Sequence, residues 1–163
     1  KRGGEIPSYM KFIFRTSGAR KQYFESKISK YGIKYIKTKN IELGNLLNNN
    51  AWEELMFNSQ VGVVFQSENA EDVIFPSKVA SMLISAQAIL AFTSKNSFLG
   101  KMVQKNDLGW VIEHNNFSSL SDFFVDIKDL SILTKKRRNA LKYGIEHFSL
   151  TKVANKWHQV IIN

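Results

Sequence analysis

Val61-Gly62-Val63-Val64-Phe65 and Ala88-Ile89-Leu90-Ala91-Phe92, with Val79, Met82, Leu83 and Ala86 spaced between them at helical intervals, decide the fold. Both five-residue runs are nearly continuous hydrophobe. Such runs mark strands covered on both faces, the condition of a parallel sheet flanked by helices. The stripe between them recurs every three or four residues and therefore makes one helix face. Strand, helix, strand is a right-handed crossover unit.

The same alternation extends outward in both directions. Residues 10–14, 33–37 and 110–112 are further apolar runs that read as strands. Helical stripes lie between the strands: Phe24, Ile28 and Tyr31; Trp52, Leu55 and Met56; Phe98, Leu99, Met102 and Val103. Asn48-Asn49-Asn50 is a cap and loop ahead of the helix at Ala51. After the last strand come three helical patterns with no strand between them. They are Leu120, Phe123, Phe124 and Ile127; Leu141, Ile145 and Phe148; and Val153, Trp157, Val160 and Ile161. The expected fold is α/β, a Rossmann-like open and mostly parallel sheet of about five or six strands. Helices cover both faces, and a helical tail closes the chain.

At 163 residues the chain fits one domain spanning residues 1–163. A hydrophobic content of 44% with 23% charged residues and two prolines fits a globular chain and excludes a disordered or fibrous one. The absence of cysteine removes disulfides, thiolate metal sites and thiol nucleophiles, and fits a reducing compartment. Cytoplasmic localisation is the expectation. No apolar run approaches the length of a membrane span, and Lys1-Arg2-Gly3-Gly4 leads into no export signal. A first residue other than Met suggests a piece of something longer. The net charge of +9 favours polyanionic company: phosphate groups, anionic lipid or nucleic acid.

In an open parallel sheet, ligands sit beyond the carboxyl ends of the strands. On the assignment above those ends read Arg15-Thr16-Ser17-Gly18, Thr38-Lys39-Asn40, Gln66-Ser67-Glu68, Thr93-Ser94-Lys95 and Glu113-His114. Hydroxyls and cations predominate, which suits phosphate and is poor in metal ligands. The sharpest feature is Phe75-Pro76-Ser77-Lys78 running into the helix from Val79. Proline favours a first helical turn, whose free amides form an anion site aligned with the helix dipole. The Ser77 hydroxyl and the Lys78 ammonium would reinforce it. Glu71 and Asp72, in the loop before it, are placed to accept hydrogen bonds from sugar or ribose hydroxyls.

The run from Val61 to Leu90 resembles the donor-binding, C-terminal domain of GT-B fold glycosyltransferases. The branch is the retaining group-1, family-4-like one that includes capsule and exopolysaccharide sugar transferases. The likeness is carried by Glu71, the apolar Val73-Ile74-Phe75, Pro76-Ser77-Lys78, the helix that follows, the Ala86-Gln87 turn and the Ala88-Ile89-Leu90 strand. Phe12-Ile13-Phe14-Arg15-Thr16-Ser17-Gly18 and Asp107-Leu108-Gly109-Trp110-Val111-Ile112 continue it in order. The resemblance implies an enzyme of the hexosyltransferase type that moves a sugar from a nucleotide-diphosphate sugar to an acceptor hydroxyl in surface polysaccharide or glycoconjugate synthesis. Ser77 and Lys78 would contact the diphosphate, with Phe75 and Pro76 in the same wall, and Glu71 would serve the transferred sugar as the catalytic candidate. Thr38 and Lys39 would lie near the base, and Ser17 and Gly18 in the same crevice. It implies no cofactor and no metal, the substrate being a nucleotide-sugar with UDP-sugar favoured over GDP-sugar. The acceptor half would be a separate N-terminal domain upstream of Lys1.

Three departures stand out. Ser81 occupies the place of the family's second helix Glu, Ala86-Gln87 that of its helix-ending Gly, and Ala88 that of the Pro that follows. His114, His147 and His158 are too far apart in sequence to pair as ligands, and no nucleophilic triad is distinctive. Lys135-Lys136-Arg137-Arg138 reads as the start of a basic amphipathic helix, solvated or in peripheral contact with the inner face of a membrane. The dinucleotide glycine fingerprint and the phosphate-binding Gly-Lys loop are missing. The competing reading is a non-catalytic nucleotide- or phosphate-binding module or a basic nucleic-acid-binding one. Nucleic acid is disfavoured because most aromatics fall at core spacing.

Overall fold

A computed structural model describes residues 9–36, 40–67, 75–114, 116 and 118–162. The chain is α/β, with parallel strands alternating with helices and then a run of three helices. The strands are β1 (Phe12–Arg15), β2 (Ile41–Gly44), β3 (Val61–Phe65), β4 (Ala88–Phe92) and β5 (Gly109–Ile112). The helices are α1 (Gly18–Ile36), α2 (Asn49–Asn58), α3 (Lys78–Ile84), α4 (Phe98–Lys105), α5 (Ser118–Asp126), α6 (Leu130–Phe148) and α7 (Leu150–Ile162). β1 and β2 form one parallel pair, and β3, β4 and β5 a separate three-stranded parallel sheet in chain order. The chain divides into two compact units at Trp52/Glu53, within α2.

One strand is displaced from its expected place. Residues 33–36 form the last turn of α1, and β2 lies further on at Ile41–Gly44. A strand at 33–37 would need a turn after Tyr31, and Gly32 is the only residue there that favours one. A helix tolerates a single glycine at a cost of about 1 kcal/mol, so the stripe through Phe24, Ile28 and Tyr31 simply continues.

In the first unit β1 and β2 run in register, Phe12 opposite Ile41 and Arg15 opposite Gly44. The buried Asn40 ties the start of the pair, its side-chain amide donating to the Met10 carbonyl at 2.7 Å. Phe14 meets Phe24 of α1 with ring centroids 4.8 Å apart. Asn48 caps α2, its side-chain oxygen accepting from the Ala51 amide at 2.9 Å, as the asparagine tract suggested.

The second unit holds the main core. Val64, Ile89, Ala91 and Val111 on the strands pack with Val79 and Leu83 of α3, Leu99 and Val103 of α4 and Ala140 of α6. Each large aliphatic side chain fully buried here is worth roughly 1.5–3 kcal/mol. Gln87, 2% exposed, sits among them and donates to the Met56 carbonyl at 2.6 Å. That bond offsets the desolvation of its amide.

α3 and α4 end alike. Ala86, at φ 56°, donates to the Leu83 carbonyl while Gln87 donates to Met82, both at 3.0 Å. Asp107, at φ 50°, donates to Gln104 at 3.2 Å while Leu108 donates to Val103 at 2.9 Å. Both are Schellman closures with a non-glycine residue in the left-handed position.

The helical tail is present, with two changes to its expected faces. α6 begins at Leu130, capped by Asp129, so the basic run starts beyond its first turn. Its buried face is Leu133, Ala140 and Gly144, whereas Ile145 is 50% exposed. A Cβ on Gly144 would lie 2.9 Å from the Ile84 nitrogen and 2.9 Å from the Leu83 carbonyl carbon, so only small residues let α6 come this close to α3. On α7, Val153 is half-buried but Trp157, Val160 and Ile161 are exposed.

Candidate functional site

The crossover from β3 through α3 to β4 sends the chain out of the carboxyl end of β3 and into the amino end of α3. Phe75-Pro76-Ser77-Lys78 therefore lies along the carboxyl edge of the second sheet, where a parallel sheet holds ligands. Phe75 is a packing residue: it meets Phe98 edge-on at 5.6 Å and stacks on Phe148 at 6.0 Å. It anchors the start of α3 beside the start of α4, so two helix amino ends approach each other.

Two amides of this turn are bonded within it. The Val79 amide already donates to the Pro76 carbonyl at 3.0 Å, and Ala80 to Ser77 at 3.3 Å. Among the described residues the amides of Ser77 and Lys78 have no backbone acceptor. Ser77 takes the cap position with helical dihedrals, and its hydroxyl makes no capping bond. Lys78 is exposed and forms no ion pair with any described residue.

The neighbouring strand ends turn their polar groups inward. Gln66, Thr93 and Ser97 are all buried. Thr93 donates to the Gln66 side-chain oxygen at 3.0 Å and lies 2.9 Å from the Ser97 hydroxyl. Ser97 caps α4 by accepting from the Gly100 amide at 2.9 Å. Lys95 pairs with Glu113 at 3.2 Å, joining the ends of β4 and β5. Of the expected hydroxyl-rich rim, the Gln66–Thr93–Ser97 set holds loops together. The role of Ser97 was missed in the sequence, although a serine directly before an apolar helix is a capping signal. Phe65, 65% exposed and stacked on Phe92 at 4.5 Å, gives the same edge an open aromatic ring.

In the first unit Ser17 and Gly18 are exposed beyond β1, Gly18 with φ 64°, a conformation that favours glycine. Arg15 is turned to Glu42 of β2, which also takes Lys11 at 2.6 Å. The Lys11 hydrogen bond, helped by Arg15 and opposed by desolvation, holds the Glu42 carboxyl below its ordinary range. The Arg15 guanidinium is thus engaged within the strand pair. Thr38 and Lys39 precede β2 instead of following it, so the residue beyond that strand's carboxyl end is Asn45. Thr38, Lys39, Glu71 and Asp72 lie outside the described residues.

No family model and no curated protein matches the chain. Among the described residues there is no group of three His, Asp or Glu able to hold a metal, and no helix long and apolar enough to cross a membrane. The basic run expected on a solvated or membrane-facing surface is largely engaged. Lys135 and Lys136 reach Asp107 at 2.8 and 2.6 Å, and the Arg137 Nε donates to the Ala86 carbonyl at 2.9 Å. Burial alone would raise the Asp107 pKa, but the hydrogen bonds from these two lysines more than offset it and hold it below the ordinary 3.8.

Proposed function

We propose that the chain binds the diphosphate of a nucleotide-sugar at Ser77 and Lys78 and serves as the donor half of a glycosyltransferase. The observation that carries this reading is the pairing, at the carboxyl edge of a parallel sheet, of a serine hydroxyl not used in capping with an exposed lysine free of ion pairs among the described residues. A departing diphosphate carries its charge on oxygens, which backbone amides, a hydroxyl and an ammonium stabilise without a metal. The likeness of residues 61–90 to glycosyltransferase donor domains supports the same place for the phosphate. Within it, Glu71 would serve the sugar, and the same likeness assigns Ser17, Gly18, Thr38 and Lys39 to donor binding. The acceptor would be held by another domain of the protein.

Ser81, exposed on α3, favours a second reading. Without a carboxylate at that place the ribose loses a strong acceptor, and the chain becomes a phosphate-binding module with no transfer of its own. Titration with UDP, GDP and ADP, followed by amide-resolved NMR with Lys78→Ala as control, tests the site. Shifts centred on Ser77 and Lys78 that weaken in the variant are expected; undisturbed amides there overturn the proposal. Sugar hydrolysis or transfer from a UDP-sugar by the protein joined to its acceptor domain separates the two readings.

A further inference from the structure

α7 is the least covered element of the second unit. Leu150 is 84% exposed, Trp157 63%, Val160 72% and Ile161 76%. At about 100° per residue, positions 150, 153, 154, 157, 160 and 161 fall within an arc of roughly 120°. All six are apolar, and positions 151, 152, 155, 158 and 159 on the opposite side are polar. The helix contacts α6, and among its described side chains only Val153 is half-buried. An apolar stripe this well ordered is unusual on a helix that buries so little of it.

The charge on this part of the chain indicates what covers the stripe. Residues 150–162 include Lys152 and Lys156 and no aspartate or glutamate. The exposed charges of α6 from residue 138 onward are Arg138, Lys142 and Glu146, again with a cationic balance. An anionic lipid surface would accept both the stripe and the cations, because a helix with Trp and aliphatic residues on one side and lysines on the other lies in the headgroup layer. The run at Lys135–Arg137 is held instead against Asp107 and the Ala86 carbonyl.

We propose that α7 is an interfacial helix that lays Leu150, Trp157, Val160 and Ile161 on an anionic membrane surface, with the exposed Lys152 supplying attraction to headgroups. It lies on the surface and does not cross it, at thirteen residues from Leu150 to Ile162. The proposal is independent of whether a nucleotide-sugar binds at Ser77 and Lys78.

The test is co-sedimentation of the 163-residue chain with vesicles of pure phosphatidylcholine and of an equal mixture of phosphatidylcholine and phosphatidylglycerol. Binding to the mixture, weak binding to phosphatidylcholine alone, and weakening with added salt are expected. Replacing Trp157, Val160 and Ile161 together by serine should lower partitioning by more than about a hundredfold. Lys152→Gln should lower it about fivefold. The serine variant changes only exposed side chains, and circular dichroism of the unbound protein verifies that it folds. Absence of binding to the mixture overturns the proposal, as does binding that the serine variant retains. Concentration-dependent dimerisation abolished by the serine variant, without vesicle binding, overturns it in favour of a second copy.

Discussion

Replacing Ala86 by glycine should stabilise the second unit. Ala86 stands at φ 56° in the closure of α3, with its own amide and that of Gln87 bonded back at 3.0 Å and its carbonyl accepting from Arg137 at 2.9 Å. The conformation is therefore fixed from three directions, and an L-residue held there carries a cost of roughly 1–2 kcal/mol. Glycine removes that cost but gives up about 0.5–1 kcal/mol of chain entropy on folding. The net gain is about 0.5–1 kcal/mol, or roughly 1–4 °C in Tm for a domain of this size. Ser81→Gly, at an exposed interior position of the same helix, should lose about 0.5 kcal/mol, so the two substitutions differ in sign. Urea unfolding followed by the fluorescence of Trp110, buried on β5, reads the second unit when Trp52 and Trp157 are replaced by Phe. The midpoint should rise in A86G with an unchanged slope. A midpoint that stays or falls would refute the assignment of backbone strain to Ala86.

Two further substitutions probe the same region. Asp107→Asn keeps a residue that tolerates the left-handed conformation but removes the charge that Lys136, with a side chain only 13% exposed, needs as partner. Because the Asp107 side chain is itself 37% exposed, screening reduces the expected loss at neutral pH to about 1 kcal/mol. The Asp107 pKa is depressed in the folded state, so its contribution is complete above 3.8 and vanishes as pH falls through the lower folded value. Denaturation of both proteins across that range should show the gap closing; a gap that persists when Asp107 is fully protonated contradicts the ionic account. Gly144→Ala sets helix propensity, which favours alanine by about 1 kcal/mol, against backbone atoms 2.9 Å from the new Cβ. Overpacking should win by about 1–3 kcal/mol, lowering the melting temperature; a rise would mean that α6 moves off α3 freely.

The legible parts of the fold were those covered on both sides. β3, β4 and β5 stand out because nearly every side chain in them meets a helix or a neighbour, which leaves an unbroken apolar run. β2 escaped notice because Ile41-Glu42-Leu43-Gly44 is four residues long, alternates, and spends Glu42 on Lys11 and Arg15. The inner face of α6 was hidden for a different reason. Ala140 and Gly144 pack by being small, which a hydrophobic stripe does not register, so Ile145 drew the attention it does not merit. The left-handed cap at Asp107 was equally invisible, since glycine and asparagine are the residues that announce one, and at Ala86 only the family's helix-ending Gly marked the place. At the candidate site the position of Pro76-Ser77-Lys78 followed from the crossover. The inward turn of Gln66, Thr93 and Ser97 did not, because a polar strand end reads alike whether it faces a ligand or its own loop.

The fate of the positive charge bears most directly on function. α3 and α4 both run from the carboxyl edge of the second sheet to its opposite edge, so their carboxyl ends lie away from the candidate site. There the basic run of α6 gathers: Arg137 on the Ala86 carbonyl, Lys135 and Lys136 on Asp107, and Asn139 on the Asp107 carbonyl at 3.2 Å. Cations at helix carboxyl ends are stabilised by the helix dipole and satisfy carbonyls left without intrahelical partners. The most concentrated charge in the sequence is therefore a brace for two strained helix ends. The net +9 overstates what a ligand at the carboxyl edge would feel. In the described part of that edge Lys95 is answered by Glu113, and Lys78 alone stands without an acid. A phosphate site in this unit depends on Lys78 and the turn beside it more than on the overall charge, which is why that single lysine is the control in the nucleotide titration.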